Sequence, residues 1–110
     1  MKDSAKSAED MLKAMANRHR LMILCEVLGG ARSVGELART LGLRVSTVSQ
    51  HLALLRRDAL VSASREGQTV WYTIASAPAR RLVETLHEIY CGPGTPPPKT
   101  GTRRTRAKRG

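Results

Sequence analysis

Two cysteines, Cys25 and Cys91, are the most reactive side chains in this chain of 110 residues. A thiolate is both a nucleophile and a soft ligand, so the pair admits three chemistries: a structural disulfide, a thiophilic metal or metalloid site, or a redox couple. Their separation excludes a Cys-x-x-Cys motif and a zinc finger. Two thiolates are also a thin set for a soft ion, which takes three or four ligands. A free cysteine serves equally well as a small buried hydrophobe. Cys25 falls on an apolar stripe with Leu21, Leu24 and Leu28 that suits that role. Cys91 ends a helical pattern, where the dipole disfavours a thiolate. His87, one turn earlier, could assist it if charged, although packing at a surface or an interface accounts for a lone histidine.

A second group of residues has a different chemistry. Val48, Leu52 and Leu55 repeat at helical spacing, and Thr47, Ser49, Gln50 and His51 lie mostly off that stripe. Such a helix has one face to anchor it and one set of short polar side chains able to reach base edges. Glutamine pairs bidentately with adenine, and serine or threonine serves base or phosphate. Arg44 before the helix, and Arg56 and Arg57 late in it, suit phosphates. Further on, Arg65-Glu66-Gly67-Gln68 reads as a hairpin tip whose Arg65 and Gln68 reach a neighbouring groove or phosphate.

These residues need elements to hold them. Ser7 is placed to cap a first helix over residues 8–15, and Asn17 a second over 18–28 that Gly29-Gly30 ends. Ser33-Val34-Gly35-Glu36 is a capping box that opens a third helix running to Leu41, with Gly42 as its stop. Ser46 is the expected N-cap of the fourth helix, from Thr47 to about Asp58. Residues 60–65 and 68–74 read as strands, and residues 79–91 as a last helix with Leu82, Val83, Leu86, Ile89 and Tyr90 apolar. Helix, short turn, helix and hairpin is the order of a winged helix-turn-helix. The expected fold is therefore mainly α with a small β-hairpin, in the order α-α-α-α-β-β-α.

Charge divides the chain into a domain, residues 1–91, and a tail, residues 92–110. Nineteen Lys and Arg face nine Asp and Glu, for a formal charge of +10. Residues 1–91 carry +4 of this. The remaining +6 comes from Lys99, Arg103, Arg104, Arg106, Lys108 and Arg109 in a proline-rich tail that holds no acid and is expected to be disordered. A basic balance favours nucleic acid over a membrane as the partner. With no Phe and only Trp71, Tyr72 and Tyr90 as aromatics, a base-stacking single-strand surface is not expected. No run approaches the ~18 apolar residues of a membrane span, and residues 1–9 are polar, so the expected compartment is the cytoplasm. No nucleophile–base constellation, glycine-rich phosphate loop or metal set is present. The chain is not expected to be an enzyme or to need a cofactor. Two DNA-binding classes remain, a sequence-specific regulator and a nucleoid-type protein relying on the tail. Only the first protects a short near-palindromic site.

The segments ANRHRLMILCEVL, SVGELARTLGLRVSTVSQHLALLRRDALV and REGQTVWYTI resemble the second helix, helix-turn-helix and wing of the ArsR/SmtB family of bacterial repressors. The Ser49-Gln50-His51-Leu52 block is the most specific part of a resemblance that covers about residues 8–91. It implies a homodimer built through the first and last helices, binding to double-stranded operator DNA, and release by an inducer. The Cys-x-Cys of arsenic and cadmium sensors is absent, since Ser33-Val34-Gly35-Glu36 occupies its place. The Asp-x-His and His-x-x-Glu of zinc sensors are absent too: His87 is followed by Glu88-Ile89-Tyr90. A thiol in MILCEVL and another in LHEIYC resemble the BigR- and SqrR-like subgroup, which senses persulfides. That resemblance makes Cys25 and Cys91 the sensing pair and reactive sulfur species the inducer. A thiophilic metal at the same cysteines, or a regulator indifferent to redox state, are the alternatives.

Overall fold

The polar opening of the chain is helical almost from its start. In the computed structural model, which describes residues 2–92, α1 spans Lys2–Met15. Ser7, expected as a cap, lies inside this helix instead. Ion pairs one turn apart, Lys6 to Asp10 at 3.5 Å and Glu9 to Lys13 at 3.4 Å, support the added turns. Helix α2 (Arg18–Leu28) opens as expected, with the Asn17 side chain accepting from the His19 and Arg20 amides at 2.9 and 3.1 Å. Arg20 reaches back and donates to the carbonyl oxygens of Ala14 and Lys13, which closes the end of α1.

The buried stripe of α2 is rotated from the expected one. Ile23, Leu24, Val27 and Leu28 are buried, Leu21 is exposed and Cys25 is half-buried. The cause is tertiary. Helix α2 packs against the third, fourth and fifth helices and the sheet at once, so the buried arc centres on the Ile23–Val27 and Leu24–Leu28 rows.

A short strand, β1 (Arg32–Ser33), was not foreseen. Ser33 ends it and also caps α3 (Val34–Leu41). Its hydroxyl accepts from the Glu36 amide at 3.2 Å, and the Glu36 carboxylate accepts from the Ser33 amide at 3.4 Å, the expected capping box. Gly42 ends α3 at φ 68°, a left-handed conformation suited to glycine.

Helix α4 spans Val45–Arg57 and corrects the expected start. The Arg44 carbonyl accepts from the Val48 amide at 3.1 Å, so the first turn closes before a Ser46 cap can form. Arg44 holds the N-cap position with no side-chain cap bond, and Ser46 is an exposed residue of the first turn. At the other end, Leu60 donates to the Leu55 carbonyl at 2.9 Å and Ala59 to that of Arg56 at 3.0 Å, a Schellman motif. Ala59 takes its left-handed position, at φ 62°, where glycine is usual.

Strands β2 (Val61–Glu66) and β3 (Thr69–Ile74) pair antiparallel from Val61↔Ile74 to Glu66↔Thr69. The turn is therefore Gly67-Gln68, one residue later than expected, with Gly67 at φ 64°. Strand β1 pairs with the other edge of β3, Arg32↔Tyr72 and Ser33↔Trp71, giving the order β1-β3-β2.

Helix α5 (Ala77–Cys91) starts two residues before the expected one, because Ser76 caps it by accepting from the Ala79 amide at 3.1 Å. Its buried row is Ala79, Val83 and His87, so His87 faces inward within the protomer, where a surface or interface position accounted for by packing was expected. One core joins Leu24 and Val27 of α2, Leu37 of α3, Val48, Leu52 and Leu55 of α4, and Val61 of β2. The tail expected to be disordered lies, beyond Gly92, outside the described residues.

Candidate nucleic-acid interface and thiol pair

Helix α4 buries Val48, Leu52 and Leu55, the stripe read from the sequence. That anchoring leaves Arg44, Ser46, Ser49, Gln50, Arg56 and Arg57 exposed, with Thr47 and His51 half-buried at the sides. Arg65 and Gln68 are exposed at the hairpin tip. The polar side chains expected to meet DNA thus share the free face of one helix and the end of one hairpin. Val45, at the first position of α4, was not in that set. It is 56% exposed, although its spacing from Val48 extends the core stripe. The core ends before the helix does.

His51 is the exception on this face. Its ring packs edge-on against His19, with centroids 5.6 Å apart, and its Nδ1 is buried with no hydrogen-bond partner among the described residues. Burial pulls the imidazole below its ordinary pKa, and the Arg20 guanidinium and His19 add to the shift. His51 is therefore neutral at pH 7 and ties α4 to the start of α2.

The second site lies where α2 and α5 pack together. Neither Cys25 nor Cys91 is in a disulfide; Cys25 is half-buried and Cys91 exposed. Burial pushes the Cys25 thiol up from its ordinary pKa, and the charges of Cys91 and then Glu26 push it further. The helices that carry the two thiols, remote in sequence, pack against one another. Cys91 offers the accessible sulfur, and Cys25 is held as the neutral thiol. Among the described residues, no group of three or more His, Cys, Asp or Glu is arranged to hold a metal ion.

A charged cluster joins β1 to α2 and α3. Arg32 is buried, with its guanidinium 2.5 Å from Glu26 of α2, 2.9 Å from the Thr40 hydroxyl of α3 and 3.7 Å from the Glu36 carboxylate. It fixes β1 against both helices, which is why so short a strand forms. Neither Arg32 nor Glu26 gave a signal in the sequence, since their pairing depends on how the two helices cross. Tyr72 of β3, also unflagged, packs against the core beside α4.

Residues 17–63 match the family described as bacterial regulatory protein, arsR family. The transcriptional activator HlyU of Vibrio cholerae is 52% identical over 90 residues, covering 82% of each chain. Its solved structure superposes with a TM-score of 0.80 over 83% of this chain and 99% of that one, at 49% identity. The crystal structure of the transcriptional repressor BigR from Xylella fastidiosa gives 0.77 at 34% identity, covering 84% and 94%. The homodimeric winged helix-turn-helix DNA-binding domain of a possible ArsR-family regulator from Mycobacterium bovis gives 0.73 at 31%, covering 82% and 83%.

Proposed function

The chain belongs to the ArsR family of bacterial transcriptional regulators, and from that premise we propose that it is a homodimeric repressor released from operator DNA when persulfide bridges Cys25 and Cys91. DNA binding and regulation follow from the family. The inducer reading is carried by the packing of α2 on α5, the helices that bear the two thiols, and the upward push of Cys91 on the Cys25 pKa supports it. The homodimer is supported by the homodimeric relative and by apolar side chains that this chain leaves uncovered: Leu12 of α1 is 54% exposed, Ile89 of α5 63% and Tyr90 81%. No helix among the described residues is long and apolar enough to cross a membrane. The proposed compartment is the cytoplasm, where thiols rest reduced. Relatives carry both names, activator for HlyU and repressor for BigR. Repression is the reading for an operator that overlaps a promoter.

The chemistry runs from the accessible thiol inward. The Cys91 thiolate attacks the terminal sulfur of a persulfide and takes it, releasing the carrier thiolate. The Cys25 thiolate then attacks the Cys91 sulfur, forming the Cys25–Cys91 disulfide and expelling hydrosulfide. A bridge holds the two Cα atoms within about 7 Å. It therefore fixes the spacing of α2, which carries the core, against α5, which carries the dimer face. The angle between the two DNA-reading units changes with that spacing, and half-sites one DNA turn apart tolerate little change. About 1.4 kcal/mol of bias shifts operator affinity tenfold. The test uses Cys25→Ser and Cys91→Ser. Each binds the operator and stays bound under persulfide, whereas the treated wild type dissociates and shows one species linking both cysteines by mass spectrometry. Dissociation of either single variant on treatment overturns the two-thiol mechanism.

A further inference from the structure

Between the free face of α4 and the sheet lies a cleft of about 450 Å³ lined by Ser49, Leu52, Ala53, Arg56, Arg57 and Tyr72. Its chemistry is one-sided. No carboxylate lines it, while two guanidinium groups and two hydroxyls do. Arg57 is engaged by Asp58 at 3.3 Å, outside the cleft. Ser49, Arg56 and Tyr72 make no side-chain hydrogen bond or ion pair among the described residues. Leu52 closes the floor from the core side, so the donors face outward from an apolar base. The position matters as much as the composition. One wall is the helix that carries Gln50, and the other is the strand that leads from the hairpin tip, so a duplex engaged by both runs its backbone over this opening.

We propose that this cleft seats one backbone phosphate of each operator half-site, with the Tyr72 hydroxyl and Ser49 hydroxyl donating to its oxygens and Arg56 supplying the charge. A phosphodiester is the anion that fits: it brings acceptors only, and the cleft offers guanidinium and hydroxyl donors with no carboxylate to repel it. Tyr72 has the support for this task. It stands on the central strand, paired to Ala63 on one side and Arg32 on the other, and its ring packs against the core. A hydroxyl on so fixed a base loses little freedom on binding, unlike an exposed arginine. The seat sets register and not sequence, since phosphates are the same at every step. The proposal rests on the DNA-binding part of the function above and is independent of the inducer.

The experiment uses the full reduced chain and a duplex that the wild type enriches from random-sequence DNA. Each phosphate of a half-site is replaced in turn by an uncharged methylphosphonate, and affinities are measured for wild type, Tyr72→Phe and Arg56→Gln. Tyr72→Phe keeps the ring and its packing, so only the hydroxyl is tested. Tyr72→Phe weakens binding to the unmodified duplex about ten- to a hundredfold, as loss of a hydrogen bond to a charged group does. One methylphosphonate position per half-site weakens the wild type by at least as much. At that position alone Tyr72→Phe loses nothing further, and Arg56→Gln loses less than it does elsewhere. Tyr72→Phe binding like wild type overturns the seat, and so does a loss equal at every modified position. Failure of the wild type to enrich any sequence would instead overturn the sequence-specific reading itself.

Discussion

Helices α4 and α5 each bury one row of side chains in the same core and expose the other, yet the exposed faces have opposite chemistry. The free face of α4 shows Ser46, Ser49 and Gln50, short side chains able to bond to base edges and phosphates. The free face of α5 ends in Ile89 and Tyr90, large apolar groups left in water. The first is suited to the wet, polar floor of a DNA groove, and the second to another copy of the same surface. The difference teaches that the partner is legible in what an element leaves outside. Burial alone would have made the two helices equivalent.

That contrast can be broken most severely from the α5 side. Tyr90→Asp places a charge in the apolar face without touching the core. The expected outcome is a folded monomer by sedimentation, with operator affinity lowered on the order of 10²-fold, because the second half-site is no longer tethered. An intact dimer would show that the copies meet elsewhere. From the α4 side, Gln50→Ala keeps the dimer and costs roughly 1–3 kcal/mol of specific binding, read by titration against operator and scrambled duplexes. Equal affinity for both proteins on the operator would move the reading face away from Gln50.

A smaller effect tests the link between the two faces. Glu26→Gln removes a charge that holds the Cys25 thiol up, so its pKa falls toward the ordinary value. Raising pH then reaches the thiolate sooner, and bridge formation under persulfide speeds up at neutral pH, with its pH–rate profile displaced to lower pH. An unmoved profile would mean that Cys25 deprotonation does not limit the bridge. The smallest effect is on stability. Ala59→Gly relieves the left-handed strain at the end of α4 and is expected to raise unfolding stability by about 0.5–1 kcal/mol with operator binding unchanged.

The elements built from local signals were legible. Asn17, the Ser33–Glu36 capping box and Gly42 each act through neighbours within a few residues, and each does what its type and spacing imply. The stripe of Val48, Leu52 and Leu55 was equally plain. What escaped depends on partners distant in the chain. Strand β1 is two residues long and exists because Arg32 is held between α2 and α3. Ser46 looked like a cap by type, but the Arg44 carbonyl closed the turn first. Tyr72 gains its place in the candidate interface only once the sheet lies against α4. For the cysteines the residues left packing and redox roles open, and only the fold shows that the helices carrying them, α2 and α5, pack together.

The two-residue strand also sets how the hairpin moves. Because β1 grips β3 only at Trp71 and Tyr72, the ribbon is clamped at mid-length, and the two rungs beyond, Arg65↔Val70 and Glu66↔Thr69, have no third strand beside them. Amides at the clamp should exchange with solvent deuterium far more slowly than those flanking Gly67. The tip that carries Arg65 and Gln68 can then follow the local width of a groove, and the ordering cost of doing so stays in a few residues beyond the clamp. The middle of the ribbon, where Tyr72 stands, keeps its position while the tip adapts.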